Sequence, residues 1–268
     1  MNDDAPGSFA STAEAAASLI WNCWQQGAVI AALPDHCRPH DRRAGYAAQA
    51  RLAARSTTAP IGWKIAATSA SGQSHIGVGG PLAGRLLAER LHASGASLPL
   101  GHNRMRVAEP EFAFRAGTRL PPRTAPYTVA EVTAAMDALI PAIEIPDSRF
   151  ADFATAGEAQ LIADNACTHE FVLGQPADTD WRRLDLAQHP VVGKVEGRFT
   201  RDGLGANVLG DPRRALAWLV NELSALGLGL DAGAIVTTGT TMQPLEISPG
   251  SHVVADFGAL GRVEVHIT

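Results

Sequence analysis

The sequence predicts an α+β protein, and three observations carry that reading. The first 56 residues pattern as helix with no strand signal. From Gly62 onward, short apolar segments recur between long irregular connections. Only two helix-like stretches interrupt them, so the strands are not the alternating βαβ units of a parallel α/β sheet. The suggested division is a helical N-terminal portion, residues 1–56, followed by a largely β body, residues 57–268. A chain of 268 residues with 46% hydrophobic content can bury a full core. There is no internal repeat, no P-loop and no GxGxxG nucleotide fingerprint.

Residues 11–27 read as the first helix, with Ser11 or Thr12 as cap, an alanine-rich apolar run through Leu19, Ile20 and Trp24, and Gly27 as the stop. A loop at 34–39 leads to a second helix over 45–55. Gly62-Trp63-Lys64-Ile65-Ala66 reads as a short strand, and the Gly- and Ser-rich stretch 69–84 as loop. Residues 107–114 form the next strand. Thr128-Val129-Ala130-Glu131 is a capping box that opens a helix to about Leu139. Strands follow at 141–145, 171–173 and 191–195. Asp211-Pro212 starts a helix with Leu216, Leu219, Val220 and Leu223 at helical spacing and Gly227 beyond its end. The chain closes in strands over 234–237, 252–257 and 262–267.

Composition excludes several function classes. A net charge of −5 with no basic run argues against a nucleic-acid partner. No apolar stretch is long enough to span a bilayer, and the acidic start Met1-Asn2-Asp3-Asp4 lacks the pattern of a signal peptide. Cys23, Cys37 and Cys167 show neither CxxC nor zinc-type spacing, which fits a reducing cytoplasm. A cytoplasmic location is therefore expected. Of 22 basic residues only Lys64 and Lys194 are lysine. In so arginine-rich a chain, a retained lysine is a candidate for work arginine cannot do, such as proton transfer.

The chemistry points to three glutamates. Glu109 and Glu111 sit one residue apart in an apolar segment, and Glu144 lies between Ile143 and Ile145. On a strand, positions i and i+2 share a face. Carboxylates converging from two apolar segments repel one another unless a cation lies between them, and a hard divalent ion, Mg²⁺ or Mn²⁺, suits oxygen ligands. A plainer reading stands beside it, that of an edge strand whose glutamates face water. Lys64 has two readings as well, a catalytic group or a simple partner for one of these carboxylates. Asp164-Asn165 could cap or turn the chain, and His75 and His169 could be surface or packing histidines.

Five segments, in order, resemble one family. They are Gly62-Trp63-Lys64-Ile65-Ala66-Ala67-Thr68-Ser69, Glu109-Pro110-Glu111, residues 141–149, Ala163-Asp164-Asn165-Ala166, and the closing run of Thr238-Gly239-Thr240, Pro249-Gly250 and Gly258-Ala259-Leu260-Gly261. Together they resemble the 2-keto-4-pentenoate hydratase and 4-oxalocrotonate decarboxylase group of the fumarylacetoacetate hydrolase superfamily, over roughly residues 10–268. The resemblance implies a mixed β-roll around a metal site. Glu109, Glu111 and Glu144 would hold Mg²⁺ or Mn²⁺, and Lys64 would approach a metal-bound 2-oxo acid or its dienol. Thr240 and nearby amides would receive the substrate carboxylate, with Asp164 also placed at the substrate, and the chain would assemble as a homo-oligomer, a dimer or larger.

One departure bears on the reaction. Hydratases of this group carry D-E-P-D-Y-G after the lysine strand, and its second Asp is a proton-transfer candidate. Here the residues are Gly79-Gly80-Pro81-Leu82-Ala83-Gly84, so Leu82 stands in that place, against the substrate, and His75 is the nearest replacement base. The leading expectation is a metal-dependent hydratase acting on a 2-hydroxy-2,4-dienoate or 2-oxo-alkenoate, as in breakdown of aromatic compounds. Alternatives are decarboxylation of a 2-oxo-3-enedioate, hydrolysis of an acylpyruvate carbon–carbon bond, and a catalytically silent subunit of such a complex.

Overall fold

The computed structural model describes the backbone of residues 6–268 and side chains from residue 10 onward, so the acidic Met1–Asp4 start lies outside the described residues. Helix α1 (Pro6–Gln26) places Ala13, Ala16, Ala17, Ile20 and Trp24 on one buried stripe. It begins ahead of the Ser11 or Thr12 cap expected from sequence. Helix α2 (Arg42–Ala53) also starts early, because the Asp41 side chain accepts from Ala44 N and caps it. These two helices share an apolar cluster with Leu87, Phe150 and Ala163, from beyond residue 56.

The remaining helices are α3 (Ala70–His75), α4 (Val129–Ala135), α5 (Glu158–Ala163) and α6 (Pro212–Ala225). The strands are β1 (Gly62–Ala66), β2 (Leu82–Leu86), β3 (Leu91–Ala93), β4 (Ala96–Leu98), β5 (Val107–Ala116), β6 (Met136–Ile145), β7 (Glu170–Leu173), β8 (Pro190–Val195), β9 (Phe199–Leu204), β10 (Ile235–Thr240), β11 (Leu245–Glu246), β12 (His252–Asp256) and β13 (Arg262–Ile267). The fold is α+β as expected, with four helices rather than two after the first 56 residues. The stretch 69–84 is not all loop. Ser69 accepts from Gly72 N and caps α3, and β2 begins at Leu82. The capping box at Thr128 forms, but α4 stops at Ala135 and not near Leu139. From Met136 the chain pairs with β5 instead, because an apolar run such as Met136–Ile140 fills a sheet as well as a helix.

The strands form two mixed sheets. The larger runs β2-β1-β10-β5-β6-β7-β3, with β11 paired to the start of β5; the smaller runs β4-β13-β12-β8-β9. One face of the large sheet carries Phe112, Phe114 and Ile143 into the main core against Val253, Val263 and Phe257 of the smaller sheet's chain segments. The Phe112 and Phe257 rings meet edge-on at 5.1 Å. The opposite face curls on itself, so that Leu86, Ala113, Ile140, Phe171 and Ile235, from five different strands, share one cluster. The glutamates stand on this concave face.

Candidate active site

The register of β5 and β6 sets the acidic trio. Glu109 lies directly opposite Glu144, and Glu111 lies opposite Ala142. Cross-strand partners share a face, as do positions i and i+2, so all three side chains point into the curl. One carboxylate oxygen from each lies within 4.8 Å of the others. Glu111 and Glu144 are buried and Glu109 faces a cavity. The sheet-edge reading, with glutamates in water, is overturned: β5 is an interior strand between β10 and β6.

Lys64 comes from β1, three strands from β6. On a flat sheet that separation is roughly 14 Å, at about 4.8 Å per strand. The curl closes it, and Lys64 Nζ sits 2.9 Å from Glu144 Oε1. The lysine is buried, and its aligned hydrogen bond goes to the Ala166 carbonyl at 3.0 Å. Both Glu144 oxygens therefore lack an aligned hydrogen-bond donor despite the nearby ammonium, and so does Glu111 Oε1. The other oxygen of Glu111 accepts from Gly239 N at 2.9 Å.

Electrostatics follow from burial. Desolvation, ahead of repulsion from Glu144, pushes Glu109 up to about 8. Glu144 likewise rises to about 8 through burial, against the pull of Lys64, and Glu111 to about 7. Burial works against the Lys64 ammonium, but the trio, Glu144 foremost, outweighs it and holds its pKa above the ordinary value. Orphaned buried oxygens on converging carboxylates are what an oxygen-ligated divalent cation would satisfy, so the residues present fit such an ion. Among the described residues no other cluster of potential ligands has this form.

The cavity beside the trio measures about 880 Å³ and contains Lys64, Glu109, Leu82, His75 and Thr240 in its lining. Leu82 is buried in the wall. His75 is exposed at the rim, its ring centroid 5.7 Å from that of Phe153 in an edge-on arrangement, and among the described residues it has no hydrogen-bond or ion-pair partner. The His/Glu pair that a hydrolase would need is not formed there. Thr240 donates its hydroxyl to Met242 O at 2.9 Å, so that proton is committed within the chain.

Asp164 departs from its expected place at the substrate. It is fully buried outside the cavity lining. It accepts from Ser148 Oγ at 2.7 Å and from Arg149 N at 3.1 Å, and it is ion-paired to the Arg149 guanidinium. Three of its roughly four acceptor sites are thus taken by the protein, and its charge is already paired. Its work is architectural. It braces the turn Asn165-Ala166-Cys167, all three at positive φ, from which the Ala166 carbonyl meets Lys64. The Asn165 amide clamps that turn to β2, accepting from Arg85 N and donating to Arg85 O. Gly84 makes the approach possible, since a Cβ there would overlap Asn165 O and Thr168 Oγ1.

Sequence reasoning passed over Ala166, whose contribution is a backbone carbonyl with no side-chain signature. It also passed over Cys167, which lines the cavity beside Lys64 with its thiol raised to about 12 by burial. The motif around Asp164 marked the segment but not which of its atoms mattered.

Comparison with known proteins agrees with this geometry. Residues 53–268 match the family model described as fumarylacetoacetate (FAA) hydrolase C-terminal. A 2-keto-4-pentenoate hydratase from Burkholderia vietnamiensis is 31% identical over 271 residues, covering 100% of both chains. A 4-oxalocrotonate decarboxylase from a Pseudomonas species is 30% identical over 210 residues, 78% of each. The fold matches that of 4-oxalocrotonate decarboxylase from Pseudomonas putida G7, solved with magnesium and adipate, at a TM-score of 0.88 and 24% identity, covering 96% of this chain and 98% of that one. The match over residues 53–268, together with a full-length hydratase relative, shows that this chain belongs to the fumarylacetoacetate hydrolase family.

Proposed function

We propose that the chain is a divalent-metal-dependent hydro-lyase that adds water to a 2-hydroxy-2,4-dienoate by way of its 2-oxo-alkenoate tautomer. The observation that carries this is the buried trio of Glu109, Glu111 and Glu144 with the Lys64 ammonium against it, opening on one cavity. Relatives named as hydratases support the same reading. Glu109, Glu111 and Glu144 would hold Mg²⁺ or Mn²⁺, both of which favour oxygen donors. Such an ion supplies Lewis acidity where negative charge builds during the reaction, at the substrate's C2 oxygen.

The chain's own residues do the rest. Lys64 enters the reaction protonated, held so by its carboxylate neighbours, and sets a positive charge beside the substrate's 2-oxo acid head. It is also placed to give a proton to C3 as the oxygen of water joins C4, and the neutral amine then takes up the proton that water loses, which restores the ammonium. The Ala166 carbonyl holds the ammonium in place. Apolar side chains of the cavity, Leu82 among them, would flank the conjugated chain.

A second reading, decarboxylation of a 2-oxo-3-enedioate, is favoured by Leu82. With no acid in that wall, the only carboxyl among the described residues lining the cavity is Glu109 of the trio. Loss of CO₂ sends the C–C bonding pair into the conjugated chain and needs no second acid there. The test is to give purified, Mg²⁺-supplemented chain both substrates and identify products. Diene consumed without CO₂ supports the hydratase. CO₂ release from the enedioate supports the decarboxylase. Pyruvate with a free acid would indicate the hydrolase, and no turnover by the chain alone a silent subunit.

A further inference from the structure

Resting on the proposal that the trio and Lys64 receive a 2-oxo acid head, we infer that the natural substrate carries a long, uncharged apolar tail, alkyl or aryl, beyond its fifth carbon. The cavity of about 880 Å³ lies in the range that accommodates drug-sized ligands, roughly 300–1,000 Å³. A five-carbon acid held at Lys64 and Glu109 leaves most of it unfilled. The lining beyond them includes the apolar side chains of Ile76, Leu82, Phe153 and Leu161, beside the uncharged polar groups of Asn207 and Gln243. Leu82 and Leu161 are each 1% exposed and belong to the main core, so this part of the wall is fixed by packing.

Charge sharpens the argument. Among the described residues lining the cavity, the only cation besides a histidine is Lys64, already held by Glu144 and Ala166. No arginine lines it, in a chain whose basic residues are nearly all arginine. A second carboxylate at the tail would find no further lysine or arginine there, only the exposed His75 and the uncharged hydroxyl and amide groups of Ser69, Ser71, Asn207 and Gln243. Burying an unpaired carboxylate is costly, whereas each methylene buried there strengthens binding about fourfold.

The test needs no turnover. Saturated 2-oxo acids of five to ten carbons, and dicarboxylates of matching length, are titrated calorimetrically into the Mg²⁺-loaded chain. Affinity should climb about fourfold per added methylene until the cavity fills, and each dicarboxylate should bind at least about tenfold more weakly than the methyl-ended acid of its length. In Phe153→Ala the climb should be shallower. Affinity independent of length, tighter binding of the dicarboxylates, or no binding of any 2-oxo acid would overturn the inference. If affinity climbs but no dienoate is hydrated, the tail assignment stands and the proposed reaction falls. If a five-carbon dienoate is hydrated while affinity stays flat, the reverse holds.

Discussion

Chelating divalent ions from this chain should make its stability fall as pH rises between 6.5 and 8. Burial lifts Glu109 and Glu144 to about 8 and Glu111 to about 7 in the metal-free fold, whereas the unfolded chain returns them to the ordinary carboxylate range. Between those limits the folded state retains protons the unfolded state has released. The free energy of unfolding therefore declines with rising pH, by about 1.4 kcal/mol per pH unit for each proton of difference. The three groups titrate as a coupled set. A single retained proton costs about 2 kcal/mol across the window, which for a chain of this size lowers Tm by roughly 4–8 °C. The window avoids opposing effects. Burial holds His169 down to about 3, so it adds stability with rising pH only below its ordinary value of 6.5. Lys64, raised above 10.5, loses its contribution only in more alkaline solution. Thermal unfolding of the chelated chain across this range reads the slope directly. Excess Mg²⁺ should remove it and add about 2.7 kcal/mol at a hundred times its Kd. A chelated Tm that is flat or rises over the window, or one indifferent to Mg²⁺, would refute the reasoning.

Three substitutions probe other parts of the account. Leu82→Asp restores an acid to the cavity wall and should raise hydration of 2-hydroxypenta-2,4-dienoate severalfold at some cost in stability; unchanged turnover would point to a different substrate. Asp164→Asn leaves Arg149 buried without its counter-charge, a loss of about 3–5 kcal/mol. Its Tm should drop by on the order of 10 °C while the folded protein still binds a divalent ion; loss of ion binding with unchanged Tm would put Asp164 back in the site. Gly84→Ala drives a methyl into Asn165 O and Thr168 Oγ1 and presses on Lys64 Cγ at 3.0 Å. It should cost about 1–3 kcal/mol and reduce kcat at least tenfold by moving Ala166 away from Lys64; wild-type kcat would show that the turn does not position the lysine.

Local patterns in the sequence were legible where one residue decides one element. Asp211-Pro212 starts α6 as read, and the Thr128–Glu131 capping box forms. Boundaries failed where two structures compete for the same apolar residues, as at Met136–Ile140, where pairing with β5 wins over continuing α4. Helix α3 has no buried residue and so left no periodic signal; only Ser69 marks it. At the site, the shared face of Glu109 and Glu111 follows from spacing alone. The register that sets Glu144 opposite Glu109, and the curl that carries Lys64 across three strands, are tertiary facts. For Asp164 the sequence left two readings open, because a buried brace and a substrate ligand can carry the same side chain in the same motif. The difference lies in Arg149 and Ser148, which already occupy its oxygens.

The most direct measurement is a calorimetric titration of Mn²⁺ or Mg²⁺ into the chelated chain, beside Glu144→Gln, an uncharged side chain of the same shape. The account predicts saturation at a single ion per wild-type chain, and no measurable binding by the variant although circular dichroism shows it folded. A wild-type chain that takes up no ion, or a variant that takes it up as tightly as wild type, would contradict the carboxylate trio as a metal centre.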